Sequence, residues 1–187
     1  MKRIAIFASG SGTNAQKLIE HFETHRDAQV TLVVCNNPQA RVMGIAKEHG
    51  VETLLIDKEH FFSAQSIVDE LKVRGIDLIV LAGFLWLIPL PVIKAYHEKI
   101  INIHPALLPK FGGKGMYGKK VHEAVLTAGE KESGITIHYV NEKFDEGKHI
   151  AQFRCPVLPG DTLQSLAGRV QKLEHDHFAE VVEKIIS

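Results

Sequence analysis

The residues with the clearest chemical potential lie in one decapeptide, Ile100 to Pro109, reading IINIHPALLP. The amide of Asn102 and the imidazole of His104 close a short apolar run, and Pro105 then forbids a continued ladder. Side chains two residues apart on a strand share a face, so both groups point the same way where the strand stops. In an open parallel sheet that position, beyond the carboxyl ends of the strands, is where ligands bind. Together they mark a candidate active site. A third group, Asp145 in the acidic turn Phe144-Asp145-Glu146-Gly147, could face His104 with its carboxylate. The plainer readings are a strand cap, a core histidine and a turn aspartate, and on these residues alone the plainer readings are the better ones.

The elements that must position these groups begin with Ile4 to Ala8, apolar without polar alternation, as a strand buried on both faces should be. Ser9-Gly10-Ser11-Gly12-Thr13-Asn14 follows, and then Ala15, Leu18, Ile19 and Phe22 at helical spacing. Gly10, Gly12 and Ala15 satisfy the looser GxGxx(G/A) fingerprint, in which bare N–H groups at a helix start meet a phosphate. A plain tight turn of small residues fits equally. A dinucleotide enzyme would carry Asp or Glu after the second strand, Val30 to Cys35, but Asn36-Asn37-Pro38 stands there. This counts against NAD and leaves a monophosphate site open.

Ala40 to His49, ended by Gly50, predicts a helix, Val51 to Ile56 a strand, and Asp77 to Ala82 another strand. Phe61 to Arg74 predicts one helix with Ala64, Ile67, Val68 and Leu71 on its buried face, ended by Gly75. In Gly83 to Pro91, Leu85, Trp86, Leu87 and Ile88 could wall a slot for a flat heteroaromatic, or simply staple the loop onto a helix at Val92 to Tyr96. Lys110 to Lys120, rich in glycine and lysine, reads as a mobile loop beside the site or a solvated connector, followed by a short helix from His122 to Ala128. Ser133 to Val140 alternates Ile135, Ile137 and Tyr139 against Thr136 and His138, the pattern of a half-exposed strand, and Ala151 to Val157 is a second such run. Asp161 or Thr162 caps a last helix whose inward stripe, Leu163, Leu166, Ala167, Val170, His177 and Val181, also carries Glu174. A carboxylate there needs a partner, either a ligand hydroxyl or an internal His or Lys. The expected fold is α/β, a Rossmann-like, mostly parallel sheet with helices on both faces and an antiparallel C-terminal strand pair.

At 187 residues, 45% hydrophobic, the chain suits one α/β core and is short for two, so a single domain over 1–187 is expected. Its N-terminal half, about 1–100, would bind phosphate and its C-terminal half, about 101–187, would carry catalysis. Lys plus Arg equal Asp plus Glu at 22 each, so no net field recruits nucleic acid or a membrane, and a small ligand is expected. Cys35 and Cys155 stand far apart without metal-ligand spacing, which predicts buried thiols and no structural zinc. Met1-Lys2-Arg3 leads straight into a strand with no signal segment, so a cytoplasmic protein is expected.

Taken together, Gly10-Ser11-Gly12-Thr13-Asn14, Ala82-Gly83-Phe84, Asn102-Ile103-His104-Pro105 with Leu107-Leu108-Pro109, and Asp145 with Gly147 resemble the folate-dependent formyltransferases over nearly the whole chain. The Gly10 to Asn14 loop and Gln171 to His175, QKLEH, are similar to the branch that acts on glycinamide ribonucleotide. The resemblance implies transfer of a formyl group from the co-substrate 10-formyltetrahydrofolate to the amine of glycinamide ribonucleotide in purine biosynthesis, with no metal required. It implies that Asn102, His104 and Asp145 are catalytic, that Gly12, Thr13 and Asn14 hold the phosphate, and that Gln171 and Glu174 meet the phosphate and the ribose hydroxyls. Leu85, Trp86, Leu87 and Ile88, with Asn102, would hold the folate. Asp145 is expected to raise the pKa of His104 toward the working pH, making the imidazolium a donor. The sequence departs from the family in the Lys110 to Lys120 loop, in Trp86 where many relatives carry Arg, and in ending at Ser187 without a C-terminal tail. Rival readings are another formyltransferase or hydrolase using the same three residues, or a non-catalytic protein that binds a phosphate ligand; oligomeric state stays open.

Overall fold

The apolar run after Met1 forms β1 (Lys2–Ala8), buried on both faces from Ile4 onward. The computed structural model describes residues 1–63 and 65–186. Around β1 lie β2 (Ala28–Cys35), β3 (Glu52–Leu55), β4 (Leu78–Leu81) and β5 (Ile100–His104), all parallel, while β6 (Glu132–Tyr139) and β7 (His149–Pro156) join antiparallel. The order is β3-β2-β1-β4-β5-β6-β7. This is the mostly parallel sheet with an antiparallel C-terminal pair that strand patterning implied.

Alternation along β1 divides the core in two. Ile4, Ile6 and Ala8 pack with residues of α1 (Thr13–Phe22), α2 (Arg41–Glu48), α6 (Lys119–Thr127) and α7 (Leu163–Ile186). Ala5 and Phe7 pack with α3 (Lys58–Phe62), α4 (Gln65–Val73) and α5 (Leu90–Ala95) on the other side. The chain leaves β1 toward β2 on one edge and reaches β4 on the other, so the crevice beyond the carboxyl ends of β1 and β4 is the topological switch point of the sheet. The loops after β1, β4 and β5 meet there.

Several local expectations are corrected. The helix expected over Phe61 to Arg74 is two, because Phe61 is drawn into an aromatic group with Phe84 and Trp86, 5.5 Å from each ring, while α4 restarts to turn Ile67, Val68 and Leu71 onto the sheet. Ala64, expected on that face, lies outside the described residues. The short helix expected from His122 begins at Lys119, so Lys119 and Lys120 belong to α6. The cap of α7 is Thr162, whose Oγ1 accepts from Ser165 N at 3.1 Å, while Asp161 is held by Arg169 at 2.7 and 3.0 Å. β6 is not half-exposed: Thr136 and His138 are as buried as Ile135 and Ile137. The face assigned to water is covered by the segment after β5, since Thr136 Oγ1 donates to Ala106 O and accepts from Leu108 N. Cys35 and Cys155 are free and buried, as expected. Among the described residues no helix is long and apolar enough to cross a membrane.

The turn carrying Asp145 depends on Gly147. A Cβ there would run into the carbonyl oxygen of Tyr139 on β6, so backbone must shift to admit any side chain. Gly147→Ala is expected to cost about 1–3 kcal/mol, the usual penalty for overpacking, read as a lowered melting temperature in thermal denaturation.

Candidate active site

β5 stops at His104 because Pro105 supplies no N–H, and its alternation puts Asn102 and His104 on one face. Across the ladder Asn102 pairs in register with His138 of β6, and Asn102 Nδ2 lies 3.1 Å from His138 Nε2. His138 Nδ1 is 2.8 Å from the Tyr139 carbonyl, which can only accept, so Nδ1 carries a proton and Nε2 is left to meet the Asn102 amide, with Asp145 Oδ1 3.6 Å away. That bond aims the amide. Its second N–H reaches Asp145 Oδ1 at 3.3 Å, a long bond that a better acceptor can replace.

Asp145 comes from the turn before β7, in a left-handed conformation with φ 57° that Asp tolerates. Its Oδ2 accepts from Gly113 N at 2.9 Å and lies 3.5 Å from His104 Nδ1. Burial pushes the carboxyl up, but His138, His104 and the Gly113 N–H outweigh it, and the carboxyl titrates below its usual range. His104 is 3% exposed and Nε2 donates to the Phe111 carbonyl at 2.8 Å, leaving Nδ1 toward Asp145.

The expectation for the His104 pKa is overturned. Burial lowers it below the ordinary histidine value, and the opposing pull of Asp145 and the Phe111 carbonyl does not make up the difference. A nearly sealed imidazolium loses more hydration than one carboxylate at 3.5 Å returns. The site therefore holds a carboxylate beside a neutral imidazole.

Gly12, at the start of α1, has φ 74°, and a Cβ there would sit 2.7 Å from Val42 Cβ, so the turn requires glycine on both counts. Thr13 Oγ1 accepts from Gln171 Nε2 at 3.2 Å, and Asn14 Nδ2 donates to Glu174 Oε2 at 2.8 Å. The partner required by Glu174 is thus an amide of the glycine loop and not the His or Lys considered from sequence. Burial still dominates, and the carboxyl is pushed up to about 7. A carboxyl raised in the folded chain favours folding below its ordinary pKa, and that contribution is lost as pH rises through about 7. Glu174→Gln is expected to gain roughly 2 °C or more in melting temperature at pH 8 relative to its effect at pH 5, measured by calorimetry at both.

The loop after β4 joins the same place. Leu85 N donates to Ser9 Oγ at 3.1 Å, tying it to the glycine turn, and Phe84 stacks edge-on between Phe7 and Phe61. Gly12, Thr13, Asn14, Leu85, Trp86, Leu87, Ile88, Asn102, His104, Asp145, Gln171 and Glu174 all line one cleft of about 1190 Å³. That exceeds the roughly 300–1,000 Å³ usual for one small ligand and leaves room for two. Such a cleft presents amide N–H groups and a neutral ring beside an ionised carboxylate, the set for moving a proton while stabilising an oxyanion.

Sequence reasoning missed His138 and His122, which also line the cleft. His138 was read as solvent-facing, and only the register that sets it opposite Asn102 reveals its role. The loop from Gly113 to Gly118 forms part of the wall, the connector reading notwithstanding.

Residues 2–182 match the formyl transferase family. The chain is 42% identical, over 98% of its length, to the chloroplastic phosphoribosylglycinamide formyltransferase of Arabidopsis thaliana, of which it spans 65%. It is 36% identical to the phosphoribosylglycinamide formyltransferase of Bacillus subtilis (strain 168), covering 100% of this chain and 95% of that one. Its structure is similar to that of glycinamide ribonucleotide transformylase 1 from Geobacillus kaustophilus, with TM-score 0.90, 38% identity and 100% of both chains covered.

Proposed function

The chain belongs to the formyl transferase family, and on that premise we propose that it transfers the formyl group of 10-formyltetrahydrofolate to the amine of glycinamide ribonucleotide in purine biosynthesis. One observation carries the reading: Asn102 and His104 of β5 and Asp145 of the turn before β7 meet in the cleft onto which the Gly12 turn opens.

In this reading Gly12, Thr13 and Asn14 offer backbone N–H groups at the start of α1 to the phosphate, with Gln171 beside them. Glu174, once ionised, accepts from the ribose hydroxyls, which gives its exposure to desolvation a purpose. Leu85, Trp86, Leu87 and Ile88 provide an apolar wall of the kind a pterin requires, and their presence in the cleft supports folate as formyl donor.

Attack of the amine forms the new C–N bond and puts negative charge on the formyl oxygen. Asn102 then exchanges its long bond to Asp145 for one to that oxygen, while His138 keeps the amide aimed. Asp145, already ionised, receives the proton that the amine loses, directly or through a water, with His104 Nδ1 as the neighbouring site. The proton goes to the folate nitrogen as its bond to the formyl carbon breaks, so atoms and charge balance. The protein would work as one domain in the cytoplasm, its N-terminal half holding phosphate and its C-terminal half carrying the proton chemistry.

The test is to mix the pure protein with glycinamide ribonucleotide and 10-formyl-5,8-dideazafolate, follow absorbance and identify the product by mass. Formylated nucleotide is expected; no turnover above a His104→Ala control overturns the reading.

A further inference from the structure

A phosphate-bearing ligand brings about two negative charges into a cleft that already holds the Asp145 carboxylate and the Glu174 carboxyl, the latter pushed up to about 7. The loop after β1 answers with backbone N–H groups and carries no cationic side chain between Ser9 and Asn14. Lysines reach the cleft from the other wall. Lys114, Lys119 and Lys143 line it, and Lys143 is paired with Glu146 at 3.1 Å. Lys114 and Lys119 have no ion-pair partner among the described residues and are exposed. We propose that Lys114 and Lys119 form a cationic clamp that closes the cleft over an oxyanion of the bound substrate, extending the function proposed above and resting on it for the identity of the ligand.

The backbone is built for this. Lys114 lies between Gly113 and Gly115, with φ of 95° and 89°, conformations that side chains rarely adopt. Gly113 N is the group that donates to Asp145 Oδ2, so Lys114 is fixed one residue from the reaction centre. A Cβ on Gly112 would strike Leu108 Cδ2 and come within 3.2 Å of Asp145 Cβ, which presses this stretch against the same turn. Lys119 opens α6, and one turn later His122 lines the cleft too, buried, with Nδ1 unpartnered. Burial and the nearby His104 hold His122 below the ordinary histidine pKa, so it adds no competing positive charge that could replace the lysines at neutral pH. Charge supplied by flexible side chains from a glycine-rich wall can be placed over a ligand after entry.

Two oxyanions fit this chemistry, the phosphate of the nucleotide and the glutamate carboxylates of a folate. The double variant Lys114→Met/Lys119→Met keeps the apolar stems and removes both charges. Calorimetric titration of wild type, the double Met variant and a double Arg variant with glycinamide ribonucleotide, its phosphate-free riboside, and 10-formyl-5,8-dideazafolate with and without its glutamate separates the sources. The expected result is binding about five- to tenfold weaker for one anionic ligand in the Met variant, regained in the Arg variant, absent for the ligand lacking that anion, and fading as salt rises. Weakening confined to the nucleotide assigns the clamp to phosphate; weakening confined to the glutamylated folate assigns it to carboxylate. Unchanged affinity for every ligand overturns the clamp. Binding is read without turnover, so a wild-type protein that binds these ligands with the expected pattern and forms no product would sink the formyl-transfer reading and leave the clamp standing.

Discussion

Asn102→Ala is expected to lower kcat for formyl transfer by about 10²–10³, the loss that accompanies removal of one oxyanion donor, with KM for either substrate little changed. In the proposed reaction the amide reaches the oxygen from two contacts of unequal length: the 3.1 Å bond to His138 would hold it, and the 3.3 Å bond to Asp145 would be given up. Because that exchange would take place only as charge develops, the expected loss falls on the chemical step and not on binding. Steady-state kinetics with each substrate varied in turn checks this. A loss confined to KM would assign Asn102 to ground-state binding.

Asp145→Asn is expected to lower kcat by about 10²–10⁴, the range for a positioned acid–base group. The substitution keeps the size of the side chain and its place against Gly113 N, so what disappears is the proton acceptor. It also removes the charge that raises the His104 pKa against burial. Proton NMR of the histidine rings should show His104 titrating below 6.5 in the wild type and lower again in Asp145→Asn. A His104 that titrates above its ordinary value in the free protein would restore the imidazolium and require a different division of labour.

Much of this site was legible because it depends on local chemistry. Pro105 marks the end of a strand, the period of two places Asn102 and His104 together, and the glycines around Ser11 mark a turn into a helix; none of these needs a distant contact. The mostly parallel sheet followed from alternation of strands and helices, while its strand order did not. The failures lie where a long-range contact decides. Thr136 and His138 follow the pattern of a half-exposed strand, and they are buried because Thr136 meets Ala106 and Leu108 of the segment after β5 while His138 meets Asn102 and the turn that carries Asp145. The break between α3 and α4 answers to Phe84 and Trp86, which are distant in sequence. The pKa of His104 needed the depth of the ring as well as its neighbour, and composition carries no information on depth. Glu174 was legible as a costly carboxylate, but its partner, Asn14, lies 160 residues away.

If Asn102 and Asp145 serve one charge separation, their losses should not multiply. The deciding measurement is kcat for wild type, Asn102→Ala, Asp145→Asn and the double variant under single-turnover conditions. The expected outcome is a double variant only slightly slower than the slower single variant, as for groups that act as a unit. A double loss equal to the product of the single losses would mean that the two side chains act independently, and would contradict a shared centre formed by Asn102, His104 and Asp145.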